Sequence, residues 1–141
     1  MQTSILKFVH ANRIVEVRNL DPNETVLNYV RTQLKLTGSK ESCASGDCSS
    51  CLMVVGELKN NKLIYKTINS CISFLPTIHS RELIVIEDLV DDKGNLHPVQ
   101  SAMLHNPSST QCGFCTPGVT MSLFGIFKNY SRVNEETIKS C

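Results

Sequence analysis

The chain has 141 residues, enough for one compact domain or two small ones and too few for a large catalytic unit with a buried substrate tunnel. Hydrophobic residues make up 41% and charged residues 19%, which excludes a disordered or fibrous chain. The net charge of +1 leaves no basic surplus to neutralise phosphates, so nucleic acid is not an expected partner.

The segment from Met1 to His10 lacks the basic region, apolar run and small-residue cleavage site of a secretory signal. Apolar runs such as Leu52 to Val55 and Leu83 to Ile86 fall far short of the ~20 residues that span a bilayer. A cytoplasmic protein with no membrane partner is expected. Ile5, Phe8 and Val9 before His10-Ala11-Asn12, and Ile14, Val15 and Val17 after it, predict a β-hairpin. Asp21-Pro22-Asn23-Glu24 carries a helix-start signal, and Val26, Leu27, Val30 and Leu34 follow at helical spacing. Gly38 is expected to stop this helix, which packs as a lid over a sheet.

Residues 38–51 form a loop rich in glycine, serine and cysteine. Leu52–Val55 and Lys62–Ile68 are expected strands joined by a turn at Lys59-Asn60-Asn61, and Leu83–Ile86 a last strand. These elements make an α+β unit with a mixed sheet, residues 1–88. Asp91 to Asn95 is a charged linker, after which strand-like runs disappear. Helices are expected over His97–Leu104 and from Thr116-Pro117-Gly118 to about Tyr130. A third begins after Asn134 and runs to Cys141, where the chain ends without a stop signal, as if cut. Residues 89–141 are thus a helical unit.

The abnormal count is seven cysteines. In a reducing compartment, many cysteines point to metal or redox chemistry before disulfides. Cys43, Cys48 and Cys51 are spaced C-x4-C-x2-C, and Cys71 follows, which is the plant-type pattern for a [2Fe-2S] cluster. Four thiolates are needed because each iron is tetrahedral and takes two cysteine sulfurs besides two bridging sulfides. Gly46 is expected to take a positive φ in this loop. Buried core thiols and a four-thiolate zinc site are the competing explanations. Cys112-Gly113-Phe114-Cys115 is a C-x-x-C pair just before a helix. It suits half of a cluster site or a thioredoxin-like redox pair, although the preceding βαβ pattern of the latter is absent.

Gln111 to Gly118, reading QCGFCTPG, resembles the signature of the xanthine dehydrogenase and molybdenum hydroxylase family. Lys40 to Cys51 is similar to that family's KEGCxEGDCGAC loop, and Asn69 to Pro76 and His97 to Gln100 also fit. The resemblance implies a β-grasp ferredoxin-like domain followed by an all-helical bundle domain, each holding one [2Fe-2S] cluster. It implies an oxidoreductase component that is not catalytic alone. Electrons would pass from molybdopterin on a partner subunit, through the clusters, to an FAD-binding domain or subunit. Cys43, Cys48, Cys51 and Cys71 match the ligands of the first cluster, Cys112 and Cys115 the first two ligands of the second, and Gln111 a residue beside the pterin. The family completes the second cluster with a C-x-C pair beyond this chain's last residue, so that site is expected to be incomplete here. Ser42 and Ser49 stand where the family loop has glycine. A structural fragment that docks without carrying electrons, and a thiol oxidoreductase using Cys112 and Cys115, are the alternative functions.

Overall fold

The computed structural model describes residues 5–106 and 108–139. Strands β1 (Leu6–His10) and β2 (Arg13–Val17) form the expected hairpin, turned by Ala11 and Asn12 at φ 48° and 58°. Helix α1 covers Val26–Thr32. Its N-cap is Thr25, whose Oγ1 accepts the Asn28 N–H at 3.1 Å. The earlier Asp21-Pro22 signal makes a turn instead, with Asp21 Oδ1 accepting the Asn23 N–H at 2.8 Å.

The helix ends sooner than expected. Lys35 turns left-handed at φ 60°, and the Leu36 N–H returns to the Val30 carbonyl at 3.1 Å, closing the last turn. Gly38 therefore does not stop the helix. It gives its N–H to Glu87 Oε1 at 2.7 Å, and a Cβ there would collide with Ile86 and Glu87.

Strands β3 (Leu52–Lys59) and β4 (Lys62–Asn69) form a long hairpin through Asn60 and Asn61, both at positive φ. Strand β5 is Glu82–Ile84 only. Ile86, expected to end a strand, opens a 3-10 turn over Ile86–Leu89, because Asp88 Oδ2 takes the Val85 N–H at 2.8 Å and bends the chain off the ladder. The sheet order is β2-β1-β5-β3-β4, with β1 and β5 parallel and the other pairs antiparallel. Helices α2 (Pro98–His105), α3 (Thr116–Asn129) and α4 (Glu135–Lys139) follow. Asn134 caps α4 through its side chain, which accepts the Thr137 N–H at 2.8 Å, while Ser140 and Cys141 lie outside the described residues.

Alternation along β3 builds two cores. Met53 and Val55 face α1 and pack with Val26, Leu27, Val30, Leu6, Phe8, Leu75 and Ile78. Val54 points the other way and packs with Met121 and Phe124 of α3 and with Leu89. The sheet is thus covered on both faces, and the helical half shares its core with the sheet. The cysteine loop enters β3 at one end, and Cys71 follows β4 at the same end. Among the described residues no helix is long and apolar enough to cross a membrane.

Candidate metal centre

The cysteine loop lies between the end of α1 and the start of β3. Three left-handed positions and one buried hydrogen bond from the end of β4 shape it. Gly46 has φ 85°, as expected, and a Cβ would stand 2.6 Å from Ile72 Cδ1. Ala44 and Ser49 also turn left-handed, at 52° and 61°. The Ser70 hydroxyl, fully buried, donates to the Cys51 carbonyl at 2.6 Å and ties the loop to the end of β4. Ser42 is not among the positive-φ residues, so of the two serines only Ser49 takes the conformation that favours glycine.

The thiols are gathered. Cys43 Sγ accepts the N–H groups of Ser45 and Cys48, each at 3.4 Å. The neighbouring Ser45 hydroxyl, these two N–H groups and the Cys48 thiol hold Cys43 down to about 5. That hydroxyl has one proton for two acceptors, and it also stands 2.7 Å from Asp47 Oδ2, to which it donates when turned away from the sulfur. Cys71 behaves oppositely. Burial, then the adjacent Cys51 thiol and its charge, push it up to about 11, while the Gly46 N–H partly offsets them. Cys43 adds to the repulsion, so Cys43, Cys51 and Cys71 sense one another across the loop.

These contacts bring together the four residues expected from the spacing. All four are free thiols, Cys51 buried at 2% exposure and Cys48 exposed. The donor set fits a [2Fe-2S] group: four sulfurs from one loop and one strand end, with backbone N–H groups turned towards sulfur. Among the described residues no three Cys, His, Asp or Glu side chains converge on a single-ion position. A two-iron cluster asks for only two thiolates at each iron.

Cys112 and Cys115 are exposed, with Gly113 at φ 84° between them. Cys115 is the N-cap residue of α3 and its carbonyl accepts the Val119 N–H at 3.1 Å. Gln111 is exposed beside them. A cavity of about 370 Å³ joins the two groups: Cys48, Ser49 and Asn69 line one side, and Cys115 and Gly118 the other. Asn69 and Gly118 were not singled out by spacing. Asn69 holds a buried Oδ1 without a partner among the described residues, and a Cβ at Gly118 would overlap the Ser49 carbonyl. The only sequence signal for either was its place beside a cysteine motif.

Residues 85–141 match the [2Fe-2S] binding domain family. The chain is 34% identical over 134 residues to cat (Felis catus) xanthine dehydrogenase/oxidase, covering 94% of this chain and 10% of that protein. It is 32% identical over 133 residues to guinea pig (Cavia porcellus) aldehyde oxidase 2, covering 93% of this chain and 10% of that protein. The chain belongs to the iron–sulfur part of the xanthine dehydrogenase and aldehyde oxidase family. It spans about a tenth of the length of these curated members of the family. The aldehyde oxidoreductase of Desulfovibrio gigas shares the fold, with a TM-score of 0.78 at 24% identity, over 97% of this chain and 14% of that one.

Proposed function

We propose that this chain is the electron-transfer segment of a molybdenum hydroxylase, of xanthine dehydrogenase type, linking a molybdopterin-binding subunit to an FAD-binding domain or subunit. In this reading residues 1–88 are a β-grasp ferredoxin-like domain and residues 89–141 belong to a helical bundle domain. The parallel β1–β5 pair with α1 across one face supports the first assignment. The observation that carries the proposal is the gathering of Cys43, Cys48, Cys51 and Cys71 at one end of the sheet with N–H donors on Cys43 and Cys71.

Cys43, Cys48, Cys51 and Cys71 would hold a [2Fe-2S] group, which supplies one-electron redox chemistry when bound. Cys43, already held low, offers a thiolate at neutral pH. Cys71, pushed up, must release its proton on ligation, so uptake at that thiol is favoured by alkaline conditions. The Gly46 N–H offsets negative charge on the Cys71 sulfur. Cys112 and Cys115 would supply half of a second cluster site, with Gln111 on the pterin side.

The test is anaerobic reconstitution of the chain with iron and sulfide, followed by reduction and EPR. A brown protein with a rhombic [2Fe-2S] signal is expected. Cys51→Ser should lose that signal and Cys112→Ser should keep it. A colourless protein that binds zinc instead, or one that takes up no metal and reduces disulfides through Cys112, would sink the proposal.

A further inference from the structure

Helix α3 and the cysteine loop meet backbone to backbone. A Cβ at the buried Gly118 would overlap the Ser49 carbonyl oxygen, and would stand 3.0 Å from the Ser49 carbonyl carbon and 3.0 Å from Ser50 Cα. No flexible side chain lies between them to give way. Gly125, farther along the same helix, differs. A Cβ there would meet Thr67 Cγ2 at 3.1 Å and Val54 Cγ2 at 3.8 Å, which are side-chain atoms that can shift.

The contact falls between Cys48 and Cys51. Ser49 has φ 61°, a conformation that a non-glycine residue keeps where its surroundings over-determine it. The loop's own bonds here are long: Leu52 N–H to Ser49 O at 3.2 Å and Lys40 N–H to Ser50 O at 3.3 Å. The seat of α3 on this peptide supplies the missing restraint.

We propose that Gly118 is a positioning residue for the loop thiols: its bare Cα seats the first turn of α3 on the Ser49–Ser50 peptide, and this seat holds Cys48 and Cys51 in place. The role of these thiols as cluster ligands rests on the function proposed above; the seat itself does not. Because Cys115 caps the helix whose first turn carries Gly118, the two cysteine groups are mechanically coupled across the cavity that both line.

The test compares Gly118→Ala with Gly125→Ala in the full chain. In the metal-free protein, Gly118→Ala should speed alkylation of the buried Cys51 by about tenfold, because overpacking forces the seat open. Gly125→Ala should leave that rate unchanged. In reconstituted protein, Gly118→Ala should shift the EPR g-values of the loop cluster and Gly125→Ala should not. Adding Ser49→Gly to Gly118→Ala should not restore either readout, since the overlap is with the Ser49 carbonyl, which glycine keeps. Unchanged alkylation in a folded Gly118→Ala chain, equal effects in the two variants, or full rescue by Ser49→Gly would overturn the proposal. A wild-type chain that takes up no cluster would refute the function while the alkylation comparison still decides the seat. Where Gly118→Ala does not fold, amide exchange of the unaltered chain decides. The Ser50–Leu52 amides and the first turn of α3 should open together, and a loop that opens under a protected helix would refute the seat.

Discussion

At the level of single residues, Ser49 shows how much chemistry a loop can ask of one backbone position. Its φ of 61° costs about 1–2 kcal/mol for a residue with a Cβ. Glycine relieves that strain but adds about 0.5–1 kcal/mol of unfolded-state entropy. Ser49→Gly should therefore stabilise the metal-free chain by about 0.5–1 kcal/mol and raise its melting temperature by about 2–4 °C. A lower melting temperature would mean that the serine hydroxyl makes a compensating bond. The cysteine spacing was legible in the sequence because C-x4-C-x2-C is a local pattern set by cluster size. Which of Ser42 and Ser49 carries the strain was not legible. That depends on how the loop closes against α3, a contact 69 residues away in the chain by the difference between 118 and 49.

At the level of elements, the open edge of the sheet needs a partner, and α3 provides one. Asn129, the last residue of α3, accepts the Tyr65 N–H at 3.2 Å and donates to the Tyr65 carbonyl at 2.6 Å. One side chain thus pairs a β4 residue as a sixth strand would. Lys128 adds its ammonium over the Tyr65 ring at 4.7 Å from the centroid. Asn129→Ala should cost about 1–2 kcal/mol, two hydrogen bonds at ordinary net value, and should increase self-association on sizing columns through the bared edge. A variant that loses stability but stays monomeric would confine Asn129 to docking the helix. The hairpins were legible because asparagine marks both turns, and α3 because proline and glycine mark its start. The end of α1 was not. Lys35 rather than a glycine takes the left-handed turn, and Gly38 is spent on the close approach to Glu87.

At the level of the whole molecule, two histidines join distant parts of the chain and respond to pH in opposite directions. His10 of β1 lies 3.2 Å from Asp88 Oδ2 in the 3-10 turn, off the line of an ideal hydrogen bond. The Asp88 contact raises its pKa above 6.5 against the opposing effect of burial, and the charges of Asp88 and Glu87 add to the rise. Its stabilisation is therefore complete below the unfolded value near 6.5 and is lost as pH rises through the higher folded value. His97 caps α2 by accepting the Val99 N–H on Nδ1 at 3.2 Å, which only the neutral ring can do, and it packs edge-on against Phe124 and Phe127. Burial, then the Lys128 charge, lowers its pKa. Its contribution is present above the unfolded value and is lost as pH falls through the lower folded value. Neither role was legible in the sequence, where the histidines have no common spacing and their partners come from other elements. In the intact chain the two effects oppose each other across the neutral range. His10→Gln should leave the His97 effect alone, so urea midpoints measured from about pH 8 down to about pH 5 should fall more steeply than in the wild type. His97→Asn keeps a capping oxygen that does not titrate. It should be less stable throughout, because the ring contacts are lost, but spared the acid loss that follows from protonating the capping nitrogen. Its remaining slope should be that of His10, with stability falling towards alkaline pH. Equal slopes in the two variants would refute the assignment, since a common slope would have to come from groups other than these two rings.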